Sequence, residues 1–490
     1  MTSLRGALAF SVAERYVLLI VGLGSNIVIA RLLTPEVIGI YSVSLAFIGI
    51  AQVLRDFGVA SYLIQERDLT ADHVRTAFGI LLVLGGLMFA VLFAGAPRIA
   101  LLYGEAQMEP TLRICAFNFL VLPFGTVSLA LLRRSMAFKR LAAVNVAATC
   151  VGAGVSVGMA ALGFGVISLA MGSVVLNVIT GIGAWLARND QRLLLPSFSK
   201  WRPVLNFGAQ SSVAGVVTSA SMDINDLVVG KLMGFEPVAM LSRAQGLMNL
   251  FHRDLMGAVR NVAYPAYAKA AREQHALEPL YVNSVCHVTV VAWPFYGFVS
   301  LFSLELLRLM FGPQWDAAAP LVPVFCLAGA AAATVNLITS VVLALGRVDI
   351  VTKVELFFQP LRAALVVMAA VTFQSMMACA VALAVAFALH VPLMYFVKGR
   401  CLPNDRGALL RGLGLSLKVS MLALALPLCL SWAGTIVAPG PRWLAFCLAV
   451  PLCVVSWLFG LMWLKHPLSR DPIFLRVQCA VLSAVRRQRD

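Results

Sequence analysis

Charge is scarce in this chain. Lys, Arg, Asp and Glu make up 12% of its 490 residues, about half the share in a soluble domain. With 61% hydrophobic residues, a soluble fold would lack the polar cover to hide its apolar surface, so disorder, collagen and a soluble enzyme are all excluded. The ten cysteines contain no C-x-x-C pair, and most, such as Cys150, Cys286, Cys326, Cys379 and Cys447, lie inside apolar runs. Neither a disulfide framework nor a zinc site is expected; these thiols read as small hydrophobes. There is no Walker lysine motif, no H-E-x-x-H and no G-x-S-x-G, so no ATPase, zinc hydrolase or serine hydrolase is encoded in recognisable form. Room for a soluble catalytic domain is lacking too, since the longest stretch outside apolar segments is the tail 465–490.

What the chain has is a succession of apolar segments. A membrane-spanning helix needs about 20 apolar residues. Such segments lie at about 11–30, 38–64, 76–95, 113–132, 141–162, 166–187 and 204–230, then 238–262, 281–303, 320–345, 354–373, 376–397, 419–437 and 443–464. The fold class is therefore an all-α polytopic membrane protein of fourteen helices. Glu14 and Arg15 interrupt the first apolar run, so it is read as a retained span and not as a cleaved leader. Residues 374–375 must make a very tight turn.

The net charge of +16 supports the count. Cationic residues collect in cytoplasmic loops. With the N-terminus inside, 26 of the 38 Lys and Arg fall in cytoplasmic segments and 5 in outer ones. One missed span would invert every later loop. The densest inner clusters are Arg133, Arg134, Lys139 and Arg140, the loop with Arg188, Arg192, Lys200 and Arg202, and the tail with Arg476, Arg486, Arg487 and Arg489.

The basic loop 188–203 follows six of these spans and precedes the other eight. Residues 29–42, IARLLTPEVIGIYS, align with 229–242, VGKLMGFEPVAMLS, through Leu32/Leu232, Glu36/Glu236 and Ser42/Ser242. Both segments join the first and second spans of a half, as a repeat-built transporter requires. The expected domains are an N-terminal lobe over 1–190, a second lobe core over 204–397, and two more helices with a basic tail over 398–490.

Polar residues inside a membrane are costly, and at helical spacing they mark a wet face. The first span carries Arg15, Ser25 and Asn26; the second Tyr41, Ser44, Gln52 and Arg55; the seventh Ser212, Ser219, Asp223 and Asp226; the eighth Gln245, Asn249, His252, Arg253 and Arg260. These are the first two spans of each half, which points to one cationic pathway lined by Asn26, Gln52, Gln245 and Asn249. A guanidinium fork suits phosphate, so Arg15, Arg55, Arg253 and Arg260 are candidate pyrophosphate ligands. Snorkelling to headgroups is the plainer alternative. Asp223, Asn225 and Asp226 form an oxygen-rich turn suited to a cation or a proton, with pairing to Lys231 or Arg253 as the alternative. Arg31, Glu36, Lys231 and Glu236 flank the outer turns as a candidate gate. His287 and His390 read as packed neutral histidines, and Gly154 and Gly158 as a helix-packing GxxxG. No metal site and no cofactor are expected.

The segment Ala30-Arg31-Leu32-Leu33-Thr34-Pro35-Glu36, with Gly39 and Tyr41, followed by Arg55-Asp56-Phe57-Gly58 and Ile64-Gln65, resembles the N-terminal signature of bacterial polysaccharide-export flippases. These belong to the multidrug/oligosaccharidyl-lipid/polysaccharide flippase superfamily. The resemblance implies two lobes, a substrate of oligosaccharide repeat units on undecaprenyl pyrophosphate, and alternating access from the cytoplasmic to the periplasmic leaflet of the bacterial inner membrane. The expectation is a protein that is not an enzyme, acts as a monomer and binds no nucleic acid, with H+, Na+ or the membrane potential biasing the outward step and a polysaccharide polymerase and export machinery as expected partners. Relatives that flip the peptidoglycan lipid precursor carry arginines in the first, second and eighth helices, at places comparable to Arg15, Arg55 and Arg253. An ion-coupled multidrug exporter of the same superfamily is the alternative reading.

Overall fold

The computed structural model describes residues 4–56, 58–66, 68–188, 195–437 and 442–470. Phe57 of the signature, Arg67, Arg192 and the four tail arginines lie outside the described residues, as does the side chain of Ser212. The described chain is helical. In order come α1 (Leu4–Leu32), α2 (Pro35–Asp56), α3 (Val59–Gln65), α4 (Ala71–Tyr103), α5 (Met108–Ala116), α6 (Asn118–Arg134), α7 (Phe138–Ala161), α8 (Val166–Ala187), α9 (Trp201–Met233) and α10 (Phe235–Asn249). A π-helical turn, Leu250–Leu255, leads into α11 (Met256–Arg272). Then follow α12 (Leu277–Leu301), α13 (Ser303–Met310), a 3-10 segment (Pro313–Leu321), α14 (Val322–Ala333), α15 (Ile338–Ala344), α16 (Val348–Phe373), α17 (Met376–Cys401), α18 (Arg406–Val437) and α19 (Trp443–Trp463).

Twelve helical segments among the described residues are long and apolar enough to cross a membrane. The remaining two of the fourteen spans are α9 and the run from α10 through α11. Several side chains of α9 lie outside the described residues, and the α10–α11 run is interrupted by the π-helical turn. The tight turn at 374–375 is present. Gln374 adopts a left-handed conformation with φ 45° and donates its N–H to the Ala370 carbonyl, closing α16 before α17 begins at Met376.

The chain divides into two compact units, Met1–Ala239 and Met240–Asp490. In the first, α7 packs on α8 and α1, α6 on α8, and α2 on α9. Small residues set the closest approaches. A methyl on Gly39 of α2 would fall on the Phe235 carbonyl, and one on Gly152 of α7 would lie 2.8 Å from Leu176 Cβ of α8. Gly154 and Gly158 do not make the helix contact expected of them, since a Cβ on either would meet nothing within 4 Å. The helix turns α7 so that Gly152 and Ser156, not the GxxxG pair, face α8. At the C-terminal end of α3, Arg134 Nη1 donates to the carbonyls of Leu63 and Ile64 at 3.2 Å and Glu66 at 2.5 Å. One arginine thus takes up the open carbonyls of a helix end.

In the second unit α12 is central, packing on α14 and α18, with α18 on α19 and α16 on α17. Two polar clamps hold its ends. Lys398, fully buried, pairs with Glu278 and donates to Asn404 Oδ1 at 2.8 Å, while Asp405 N–H donates to Glu278 Oε1 at 3.0 Å. At the other end Arg442 donates through Nε to Glu305 Oε1 at 3.0 Å and through Nη1 to Ser431 Oγ at 2.6 Å. Glu305 lies outside the spans and is fully buried. Burial alone would raise its carboxyl, but the hydrogen bonds and charge of Arg442 hold it below the ordinary 4.5. Its contribution to stability is therefore complete above pH 4.5 and is lost as pH falls through the lower folded-state value.

Two expectations follow from this packing. Gly39→Ala should lower stability in detergent by about 1–3 kcal/mol through overpacking at backbone, while Gly154→Ala leaves the unfolding temperature unchanged. Glu305→Gln should unfold at lower temperature than wild type at neutral pH, and the gap should narrow as the solution is acidified; thermal unfolding scans across pH check both.

Candidate functional site

The four candidate arginines divide evenly between the two units. In the first, Arg55 ends α2 and is 2% exposed. One guanidinium nitrogen pairs with Asp56, whereas Nε and Nη1 are buried without a hydrogen-bond partner. A buried guanidinium with unused donors is costly, and an anion is the chemistry that would use them. Arg15 is exposed on α1. Its neighbour Glu14 accepts a 2.7 Å hydrogen bond from Asn145 of α7, a pairing invisible from spacing because it joins residues 131 apart. In the second unit, Arg253 is 73% exposed and bonds Asp254 at 3.3 Å. Arg260 donates to Asn336 Oδ1.

Of the expected lining residues, Asn26 is exposed, and Gln52, Gln245 and Asn249 are half-buried. Each sits on its expected helix, two in each unit. The oxygen-rich turn of α9 faces α2. A Cβ on Gly49 would lie 2.6 Å from Asp223 Oδ2, so glycine there makes space for that carboxylate. The charge of Asp223 acts on the carboxyl of Asp226, and Asn225 Oδ1 is buried without a hydrogen-bond partner. Of the alternative partners of these aspartates, Lys231 donates to the Leu102 carbonyl, and in the second unit Arg253 bonds Asp254. Among the described residues no group of three or more His, Cys, Asp or Glu is placed to hold a metal ion. The candidate gate residues Arg31, Glu36, Lys231 and Glu236 are all exposed and all belong to the first unit.

Sequence spacing missed several polar residues of the second unit. Arg243 of α10 lies between two aromatic rings, its guanidinium carbon 4.9 Å from the Phe311 centroid and 5.0 Å from that of Trp315. Asn336 occupies the break between α14 and α15. Arg362 of α16 is 9% exposed and its charge acts on His390, which stacks on Phe358 at 4.1 Å. The signal for Asn336 and Arg362 was present, as each is a polar residue inside an apolar run. A groove of about 230 Å³ between α12 and α19 is lined by apolar side chains, among them Phe295, Phe298, Val454 and Trp457. It suits hydrocarbon and not sugar.

Comparison with known proteins bears on the fold and the family. The Lipopolysaccharide biosynthesis protein WzxC of Escherichia coli K12 is 24% identical over 452 residues, covering 91% of this chain and 85% of that one. The Teichuronic acid biosynthesis protein TuaB of Bacillus subtilis is 24% identical, covering 61% of this chain and 62% of its own length. Among solved structures, the lipid II flippase MurJ in an inward closed conformation shares the fold with a TM-score of 0.74 at 12% identity, covering 94% of this chain and all of that one. A multidrug resistance MATE family transporter of the MOP superfamily follows with a TM-score of 0.64 at 14% identity, over 78% of this chain and 94% of that one. A family described as polysaccharide biosynthesis protein matches residues 28–320, more than half of the chain, and the protein belongs to that family.

Proposed function

We propose that this protein is a flippase for oligosaccharide repeat units linked to undecaprenyl pyrophosphate, moving them from the cytoplasmic to the periplasmic leaflet by alternating access. The single observation that carries this is Arg55. A guanidinium buried at the end of a membrane helix, in a family of polysaccharide biosynthesis proteins, keeps two donor nitrogens without protein partners. Arg15, Arg253 and Arg260 are proposed as further ligands of the pyrophosphate. Asn26, Gln52, Gln245 and Asn249 supply hydrogen-bonding groups for sugars, and the polyprenyl tail remains in the bilayer. The work is transport and not bond-making, so the protein is not an enzyme and needs no cofactor. Its place is the bacterial inner membrane with both termini in the cytoplasm, a reading supported by the bias of basic residues. It acts as a monomer beside the polymerase and export machinery and binds no nucleic acid.

Arginine contacts favour loading from the cytoplasm, so release needs a second input that weakens them. Asp223, Asn225 and Asp226 are proposed to bind the coupling H+ or Na+. Arg31, Glu36, Lys231 and Glu236 are proposed as the outer gate.

Inverted membrane vesicles given labelled undecaprenyl-pyrophosphate-linked oligosaccharide test the reading. Movement to the lumenal leaflet should require the protein and fall at least about tenfold in Arg55→Ala, with smaller losses for Arg15→Ala and Arg253→Ala. Uptake of a lipophilic cation with no movement of any oligosaccharide lipid would instead favour the multidrug exporter. Asp223→Asn with Asp226→Asn should slow movement without weakening substrate binding; an unchanged rate would remove the ion site.

A further inference from the structure

Two irregularities meet inside the second unit. The eighth span passes through the π-helical turn Leu250–Leu255, and the tenth breaks at residues 334–337 between α14 and α15. A π-turn inserts a residue into a helix and re-aims the side chains around it. Here it carries His252. The break is bridged by Tyr395, whose hydroxyl donates to the Thr334 carbonyl at 2.9 Å, and it presents Asn336 to His252 and Arg260.

The hydrogen bonds at Asn336 fix its orientation. A guanidinium can only donate, so Asn336 Oδ1 accepts from Arg260. Asn336 Nδ2 therefore faces His252, lying 3.4 Å from both Nδ1 and the backbone carbonyl of that residue. An amide NH2 can only donate; the His252 carbonyl accepts from it, and Nδ1 fits beside it as an acceptor, in the neutral imidazole with its proton on Nε2. Protonating Nδ1 would set two donors against each other. It would also place a second positive charge beside the Arg260 guanidinium, which binds the same amide. The contact of Arg260 with Asn336 and a proton on His252 Nδ1 are thus mutually exclusive.

We propose that His252 is a proton-binding site that fills when an anion takes Arg260 from Asn336. A phosphate group pairing with Arg260 cancels the charge that opposes protonation. It also frees Asn336 Oδ1, and a turn of the amide brings that oxygen to His252 Nδ1–H. The proton comes from solvent and is held between Nδ1 and Oδ1. Proton and anion then bind together, each favouring the other by the same factor. The surrounding charges leave the site to these residues. Arg253 is held by Asp254 and Lys398 by Glu278. His287 of α12 acts on His466. From α17 His390 acts on the ring, and Arg362 of α16 acts on His390 in turn. Neither α14 nor α15 carries a charged residue. The anion half of this linkage rests on the proposed role of Arg260 in holding the substrate pyrophosphate.

Two arms on the full-length protein in nanodiscs test it. In the first, nitrogen-15 histidine spectra of wild type, Arg260→Gln and His252→Gln are recorded as the pH is lowered, the last variant identifying the His252 signal. His252 should be neutral in wild type with the proton on Nε2. It should take its second proton about one pH unit higher in Arg260→Gln. Equal titration in the two proteins, or a wild-type proton on Nδ1, overturns the proposal. In the second arm farnesyl pyrophosphate is titrated calorimetrically near pH 7 in two buffers of different ionisation enthalpy. Wild type should take up about one proton per bound probe more than His252→Gln, the difference cancelling the probe's own titration. Binding with equal proton uptake in both overturns the proposal. Failure of wild type to bind the probe, with the first arm as expected, counts against the pyrophosphate role of Arg260 and leaves the proton site standing.

Discussion

A helix broken inside a bilayer has no water to satisfy its freed amides and carbonyls. Each break must be answered by a side chain from a neighbouring helix, and that requirement organises the second unit. Tyr281 and Tyr395 both reach the Thr334 carbonyl, at 3.3 and 2.9 Å, and Tyr296 reaches the Met248 carbonyl, at 3.4 Å, just before the π-turn. Trp293 donates to the Ala330 carbonyl at 3.0 Å. With these positions fixed, Asn336, His252 and Arg260 are held in one small polar cluster. The irregular backbone is sustained by large amphipathic side chains that bury apolar rings while donating one proton each.

The same constraint acts differently in the first unit. There the helices approach closely through glycine, and polar groups are taken up in short chains. Asn177 donates to Asn118 Oδ1 at 2.9 Å, and Asn118 in turn to Ser173 Oγ at 3.2 Å. Tyr103 donates to the Leu227 carbonyl at 2.9 Å, tying α4 to α9. Asp223 fits over Gly49 because no side chain stands there. Arg55 is a buried guanidinium that keeps two donor nitrogens open, and this is why an anion is inferred at it and not at the many paired polar residues nearby.

The number and order of spans were legible because a bilayer imposes length, apolarity and charge bias on each segment separately. Those are local properties, and they located even the turn at Gln374. Gly154 and Gly158 misled, since a GxxxG pattern says that a helix has a small face and not which neighbour meets it. Arg243 went unremarked because the rings that enclose it come from residues 68 and 72 positions further along.

The sequence by itself determined a polytopic helical membrane protein of about fourteen spans and a signature that led to its family. Tertiary structure decided which polar residues are already answered. Glu14 is held by Asn145, Lys231 by a carbonyl, Arg253 by its neighbour and Arg260 by Asn336, whereas Arg55 retains open donors. Helical spacing ranks these residues alike, because a hydrogen-bond partner more than one helix turn away along the chain leaves no trace in the period of a single helix.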